Sequence, residues 1–75
     1  MDHNYEIKIG KKIKEIRIKN GLTQDFLSAK MQIKGCDITR SAIAKIEVGQ
    51  RHLYPDEIKL IKEILNTTYD EIFEC

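Results

Sequence analysis

Apolar residues recur along this chain at helical spacing, in short stretches cut off by glycine, asparagine, threonine and proline. That pattern allows several short helices and leaves no room for a long one. Ile9, Ile13, Ile16 and Asn20 fall at i, i+4, i+7 and i+11, which is one stripe of a helix. β-Branched residues are numerous, yet they follow this period rather than the alternation of a strand. Lys11, Lys12, Lys14, Glu15 and Lys19 fill the remaining faces. A first helix is therefore predicted over about residues 5–19, stopping at Asn20-Gly21. Ile7 is a candidate for the stripe. Ile18 falls off it and is expected to be partly exposed, either harmlessly or as a partner contact.

The same punctuation divides the rest of the chain. Thr23 is an N-cap candidate for a second helix, about 23–31, because its hydroxyl can accept from a first-turn N–H. Asp25 suits the positive end of that helix, Leu27 and Met31 face inward, and Phe26 sits one step off that face. Gln32–Ile38 is irregular: Gly35 breaks any helix, and Ile33 and Ile38 are the two apolar anchors. Thr39 caps a third helix, about 40–47, with Ala42, Ile43 and Ile46 inward and Val48-Gly49 ending it. After a loop over 49–54, Pro55 suits a first helical position, with Asp56 and Glu57 in the first turn. This fourth helix, about 55–65, turns Ile58, Ile61 and Leu65 inward, with Leu60 and Ile64 widening the stripe. Thr68-Tyr69-Asp70-Glu71 has the capping-box pattern and leads a short fifth helix with Ile72 and Phe73. The fold class expected is all-α, five short helices in a single domain spanning 1–75. Residues 1–6 are expected to form an N-terminal arm and residues 7–73 the helical core.

Size and composition narrow what such a domain does. The 75 residues suffice for one small core, and Ile and Leu must fill it because aromatics make up only 7% and Trp is absent. A core of this size rarely supplies more than about 3–5 kcal/mol unaided, which points to a dimer or to a fragment of a longer protein. The net charge of +1 hides an asymmetry. Residues 1–55 carry eleven Lys/Arg against six Asp/Glu, and residues 56–75 carry two against six. A basic front can attract phosphate even when the whole molecule is nearly neutral, although a lysine-rich helix is equally read as a solvated face.

Cys36 and Cys75 form neither a metal spacing nor a CxxC pair, and His3 and His52 stand far apart, so no metal or cofactor is expected. Reduced thiols of a cytosol are the reading adopted, with a Cys36–Cys75 disulfide as the alternative. Apolar runs reach only two or three residues, which gives no membrane span or signal peptide and predicts a cytoplasmic protein. No Gly-rich phosphate loop, metal cluster or nucleophile beside a base stands out, so no enzyme is expected.

Four blocks in order closely resemble the Cro/phage-repressor-type helix-turn-helix family, the XRE-like regulators. They are Ile9-Gly10-Lys11-Lys12-Ile13-Lys14-Glu15-Ile16-Arg17, Asn20-Gly21-Leu22-Thr23-Gln24, Ser41 through Arg51, and Asp70-Glu71-Ile72-Phe73. The resemblance covers about residues 7–73. It implies a lambda-repressor-like domain whose helices 2 and 3 form the helix-turn-helix. It further implies sequence-specific binding of double-stranded DNA by a transcriptional regulator, with a repressor as the expected role. Arg40, Ser41, Ala44 and Lys45 occupy the outward positions of the recognition helix, and spacing alone places them opposite Ile43 and Ile46. Arg40 suits guanine, Ser41 a base or phosphate, Ala44 a thymine methyl, and Lys45 a base or phosphate. Thr23, Gln24, Thr39, Gln50, Arg51 and His52 match positions that contact backbone phosphate. Arg17 and Glu47 match an ion pair between helix 1 and the end of helix 3.

The departure lies between helices 2 and 3, where the family usually has a short turn around a glycine. Gln32–Ile38 is several residues longer. It either adds a DNA-facing loop carrying Lys34 or forms an inert bulge that preserves docking. Recognition of this type pairs two half-sites about one helical turn apart, so a homodimer on a palindromic operator is expected. Helix 4, the Thr68–Phe73 helix and exposed Ile18 or Phe73 are candidates for its interface. The rival reading is a regulatory or antitoxin-like protein whose main role is to bind a further protein partner. Such an adaptor would carry apolar anchors at 40, 41, 44 and 45, where this chain is basic and small.

Overall fold

The isoleucine stripe folds as a helix and becomes one wall of the core. In a computed structural model, which describes residues 3–74, the chain forms α1 (His3–Lys19), α2 (Gln24–Ile33), α3 (Arg40–Glu47), α4 (Pro55–Ile64) and α5 (Tyr69–Phe73). No strand occurs among the described residues. Ile9, Ile13 and Ile16 are buried from α1, meeting Leu27 and Met31 of α2, Ile43 and Ile46 of α3, and Ile61 and Ile72 of α4 and α5. α1 packs on α3 and α5, while α2 packs on α3 and α4. Ile18 is exposed, as its place off the stripe requires.

Two boundaries differ from the sequence expectation. Residues 3–6, expected as part of an arm, belong to α1. Among their side chains, the Tyr5 hydroxyl donates to the Phe73 carbonyl at 3.1 Å, and Glu6 contacts His52. Met1 and Asp2 lie outside the described residues. α2 also runs two residues past Met31. Ile33, expected as an anchor, is 79% exposed, because two positions beyond buried Met31 is nearly the opposite side of a helix.

The long turn after α2 is held by several hydrogen bonds. Gly35 N–H donates to Gln32 O at 3.0 Å and Cys36 N–H to Met31 O at 2.9 Å, the paired bonds of a Schellman stop. Gly35 takes a φ of +91°, which glycine adopts without steric cost. Ile38 N–H then donates to Cys36 O, and the Gln32 side-chain amide donates to Ile38 O at 2.9 Å. Ile38 itself is buried. Thr39 follows directly as the N-cap of α3.

The other junctions are capped by side chains. Asn20 donates its amide to Leu65 O at 2.9 Å, closing the C-terminus of α4. Thr68 accepts from Glu71 N–H, but Glu71 turns its carboxylate to the Thr67 hydroxyl, so the expected box is only half made. Glu57 instead accepts the Tyr54 N–H at 3.0 Å, at the start of α4.

α1 and α3 touch at Gly10. A methyl group there would strike the Ile46 carbonyl, which is backbone and cannot swing away. Gly10→Ala is therefore expected to lower unfolding free energy by about 2–3 kcal/mol. Gly35→Ala meets open space and loses only the left-handed preference, about 1 kcal/mol. Urea unfolding midpoints of the two variants check this order.

Candidate nucleic-acid interface

α2 and α3 both begin with a threonine cap. Thr23 Oγ1 accepts from Phe26 N–H at 3.0 Å, and Thr39 Oγ1 accepts from Ala42 N–H at 3.1 Å. Each cap satisfies one of the four first-turn N–H groups that a helix leaves without an internal partner. The remaining donors and the positive end of the helix dipole suit an anion. Arg40 of α3 reaches Asp25 of α2, Nε to Oδ1 at 3.6 Å, so the two N-termini open on one side of the molecule.

The faces of α3 are sharply divided. Ile43 and Ile46 are buried and Ala42 is half-buried against the core. Arg40, Ser41 and Lys45 are exposed and Ala44 is half-buried, on the opposite face as the spacing predicts. At its C-terminus Gly49 N–H donates to Ile46 O and Gln50 N–H to Lys45 O at 2.8 Å, a second Schellman stop that leaves the Gln50 side chain exposed.

A buried ion pair fixes this frame. Arg17 donates from Nε to Glu47 Oε2 at 2.7 Å and from Nη2 to Oε1 at 3.1 Å. The two residues are 8% and 4% exposed. Arg17 Nη1 also donates to Leu22 O at 2.8 Å, and Gln24 Nε2 donates to Glu47 Oε1 at 3.0 Å. The pairing expected for Arg17 and Glu47 is present. Gln24, expected at phosphate, lends its side-chain amide to the frame and keeps its backbone N–H in the α2 first turn.

Residues 13–72 match the family described as helix-turn-helix. The chain belongs to the helix-turn-helix family of XRE/lambda-repressor type. No curated protein and no solved structure matches it. Membership makes DNA binding in transcription regulation the role of this helix-turn-helix domain. Among the described residues no helix is long and apolar enough to cross a membrane.

Three of the residues expected at phosphate stand elsewhere or hold other partners. Lys34 caps the C-terminus of α2, about 15 Å along the axis from Thr23. It lines a depression with Gly35, Cys36, Asp56, Lys59 and Glu63, so the extra turn residues face α4 rather than the helix-turn-helix surface. Arg51 forms two hydrogen bonds of 2.9 Å to Glu57, which is buried, and donates to His52 O. His52 pairs through Nδ1 with Glu6 Oε2 at 2.8 Å, with the ring largely exposed. Sequence reasoning missed Glu57 and Glu6 as partners. An acid in the first turn of a proline-led helix, six residues after an arginine, is the signal that was available for Glu57.

These contacts set the local proton affinities. Burial works to raise the Glu57 pKa, but hydrogen bonds from Arg51 and the Tyr54 N–H, with the Arg51 charge, outweigh it and hold the group below its ordinary range. The Glu57 hydrogen bond raises Arg51 further. Burial, with the nearby Glu57, Asp56 and Asp37 carboxylates, raises the Cys36 thiol and keeps it protonated. The alternative disulfide involves Cys75, which lies outside the described residues.

Two expectations follow. Glu47→Ala leaves a buried guanidinium without a counter-charge and is expected to cost about 3–5 kcal/mol, while Arg17→Met with Glu47→Leu recovers much of that loss. Chemical denaturation of the single and double variants measures the difference. Glu57 is lower in the folded than in the unfolded state, so its stabilisation is present above its ordinary value near 4.5 and lost as pH falls through the folded value. Thermal melts below about pH 5 are expected to show a decline that Glu57→Gln makes shallower.

Proposed function

We propose that this chain is a sequence-specific repressor that binds a palindromic double-stranded operator as a homodimer in the cytoplasm, with α3 in the major groove. The observation that carries the reading is the outward face of α3. Arg40, Ser41 and Lys45 are exposed around the Ala44 methyl, with no large apolar side chain among them. A face of donors and one methyl suits base edges, whereas a protein-binding helix presents apolar anchors.

Arg40 is assigned to guanine O6 and N7, Ser41 to a base or phosphate, Ala44 to a thymine methyl, and Lys45 to a base or the adjoining phosphate. Thr23, Thr39, Gln50 and the first-turn N–H groups of α2 and α3 are assigned to phosphate. Arg51 and His52 serve first as braces of the 50–53 loop through Glu57 and Glu6. Exposed Tyr69 and half-buried Phe73, stacked at the acidic end of the chain, support a self-association surface that phosphate would repel. Repression follows from occupancy, since a dimer on two successive half-sites excludes other proteins from that stretch.

Titration of a selected palindromic site against random duplex, at several salt concentrations, tests the reading. A preference for the site and a linear fall of log affinity with log salt are expected. Absence of both would sink the assignment. Arg40→Ala is expected to cost about 1–3 kcal/mol on the selected site and to relax preference at one base pair. An equal loss on every sequence would move Arg40 to phosphate.

A further inference from the structure

Asp25 is a charge in an unfavourable place. It lies in the first turn of α2, on the side where the helix-turn-helix meets phosphate, and its side chain is 78% exposed. A carboxylate there is favoured by the helix dipole, yet it repels the DNA backbone. Its one ion pair among the described residues is with Arg40, the first residue of α3.

The atom that Asp25 faces matters. Oδ1 stands 3.6 Å from Nε of Arg40. The two terminal Nη groups have no protein partner among the described residues. Guanidinium donors form a rigid planar fork, so holding the Nε side orients the Nη pair outward. That end of the fork matches guanine O6 and N7 in a bidentate contact. An arginine without such a hold rotates about four side-chain bonds, and binding must freeze them.

We propose that Asp25 is a positioning residue for base reading, holding Arg40 by Nε so that its two terminal nitrogens meet guanine. The inference rests on the assignment of Arg40 to a base. Asp25 spends some attraction for DNA in general and sharpens the choice of one base pair. Specificity of this kind is a difference between affinities, so a repulsive charge contributes to it when the correct sequence alone recovers the loss.

The test uses the whole chain, a site selected from random duplex by the wild-type protein, single base-pair variants of that site, and random duplex. Arg40→Ala is expected to level discrimination at one base pair. Asp25→Asn is expected to reduce discrimination at that same pair about two- to fivefold, while affinity for random duplex holds or rises. Asp25→Glu, which keeps the charge within reach, is expected to retain most of the discrimination. Adding Asp25→Asn to Arg40→Ala is expected to change nothing further at that pair, the mark of two residues acting as one. Equal tightening of Asp25→Asn on every duplex, with discrimination intact, would overturn the proposal and leave Asp25 as a repulsive charge alone. Equal weakening of Arg40→Ala on every duplex would also overturn it. That second result appears in the Arg40 variant without reference to Asp25, so it identifies failure of the base assignment itself.

Discussion

The buried Arg17–Glu47 pair is the contact that the rest of the structure is arranged around. It ties the last turn of α1 to the last residue of α3, and its remaining hydrogen-bonding capacity is taken up by Leu22 O and the Gln24 amide. Two charges removed from water hold together only when geometry and hydrogen bonds are both satisfied. Here four segments must be in register for that to happen: α1, the turn after it, the start of α2 and the end of α3. The pair contributes modestly to net stability, because desolvation offsets much of the attraction. Its stronger effect is on orientation. Gln24 sits at the start of α2 and Glu47 at the end of α3, so this hydrogen bond joins the two helices that define the motif and adds to their core packing.

A second layer of polar contacts supports the far side of α3. Arg51 and Glu57 join the loop after α3 to the first turn of α4, and Glu6 and His52 join the same loop to the first turns of α1. The result is a recognition helix held at its two ends by different means. Its N-terminus carries the Thr39 cap and the exposed Arg40–Asp25 pair, and its C-terminus is pinned by ion pairs on both sides. Lys45 stays a long exposed side chain without a fixed partner among the described residues, while the backbone that carries it is held by the C-terminal contacts.

Much of this was legible in the residues. The i, i+4, i+7 stripe of Ile9, Ile13 and Ile16 located α1, and threonine caps located the starts of α2, α3 and α5 because their chemistry is local. The outward face of α3 was legible for the same reason: it follows from the helical period once Ile43 and Ile46 face inward. What escaped were features set by tertiary distance. Ile33 read as an anchor because its burial depends on where α2 stops, and a Schellman stop at Gly35 carries the helix two residues further than Met31. Arg51, His52 and Gln24 match phosphate-contacting positions of the family, and what escaped is the protein partner that each of them also has. Their partners Glu57, Glu6 and Glu47 come within reach only in the folded chain. For Lys34 the sequence left two readings open, a DNA-facing loop or a bulge that preserves docking, because the direction in which a turn leaves its helix depends on the packing around it.

The close approach at Gly10 has a bearing on how such a domain tolerates change. α3 lies directly on α1, backbone against backbone, and its position is dictated there rather than by the segment that leads into it. The connection between α2 and α3 is itself ordered, by the stop at Gly35, the Gln32–Ile38 hydrogen bond and buried Ile38, and its extra residues lie toward α4. Lengthening it alters how the chain gets to α3 without altering where α3 must come to rest. Extra residues at Gln32–Ile38 are thus accommodated beside α4, while a single methyl at residue 10 would press directly on the backbone of α3.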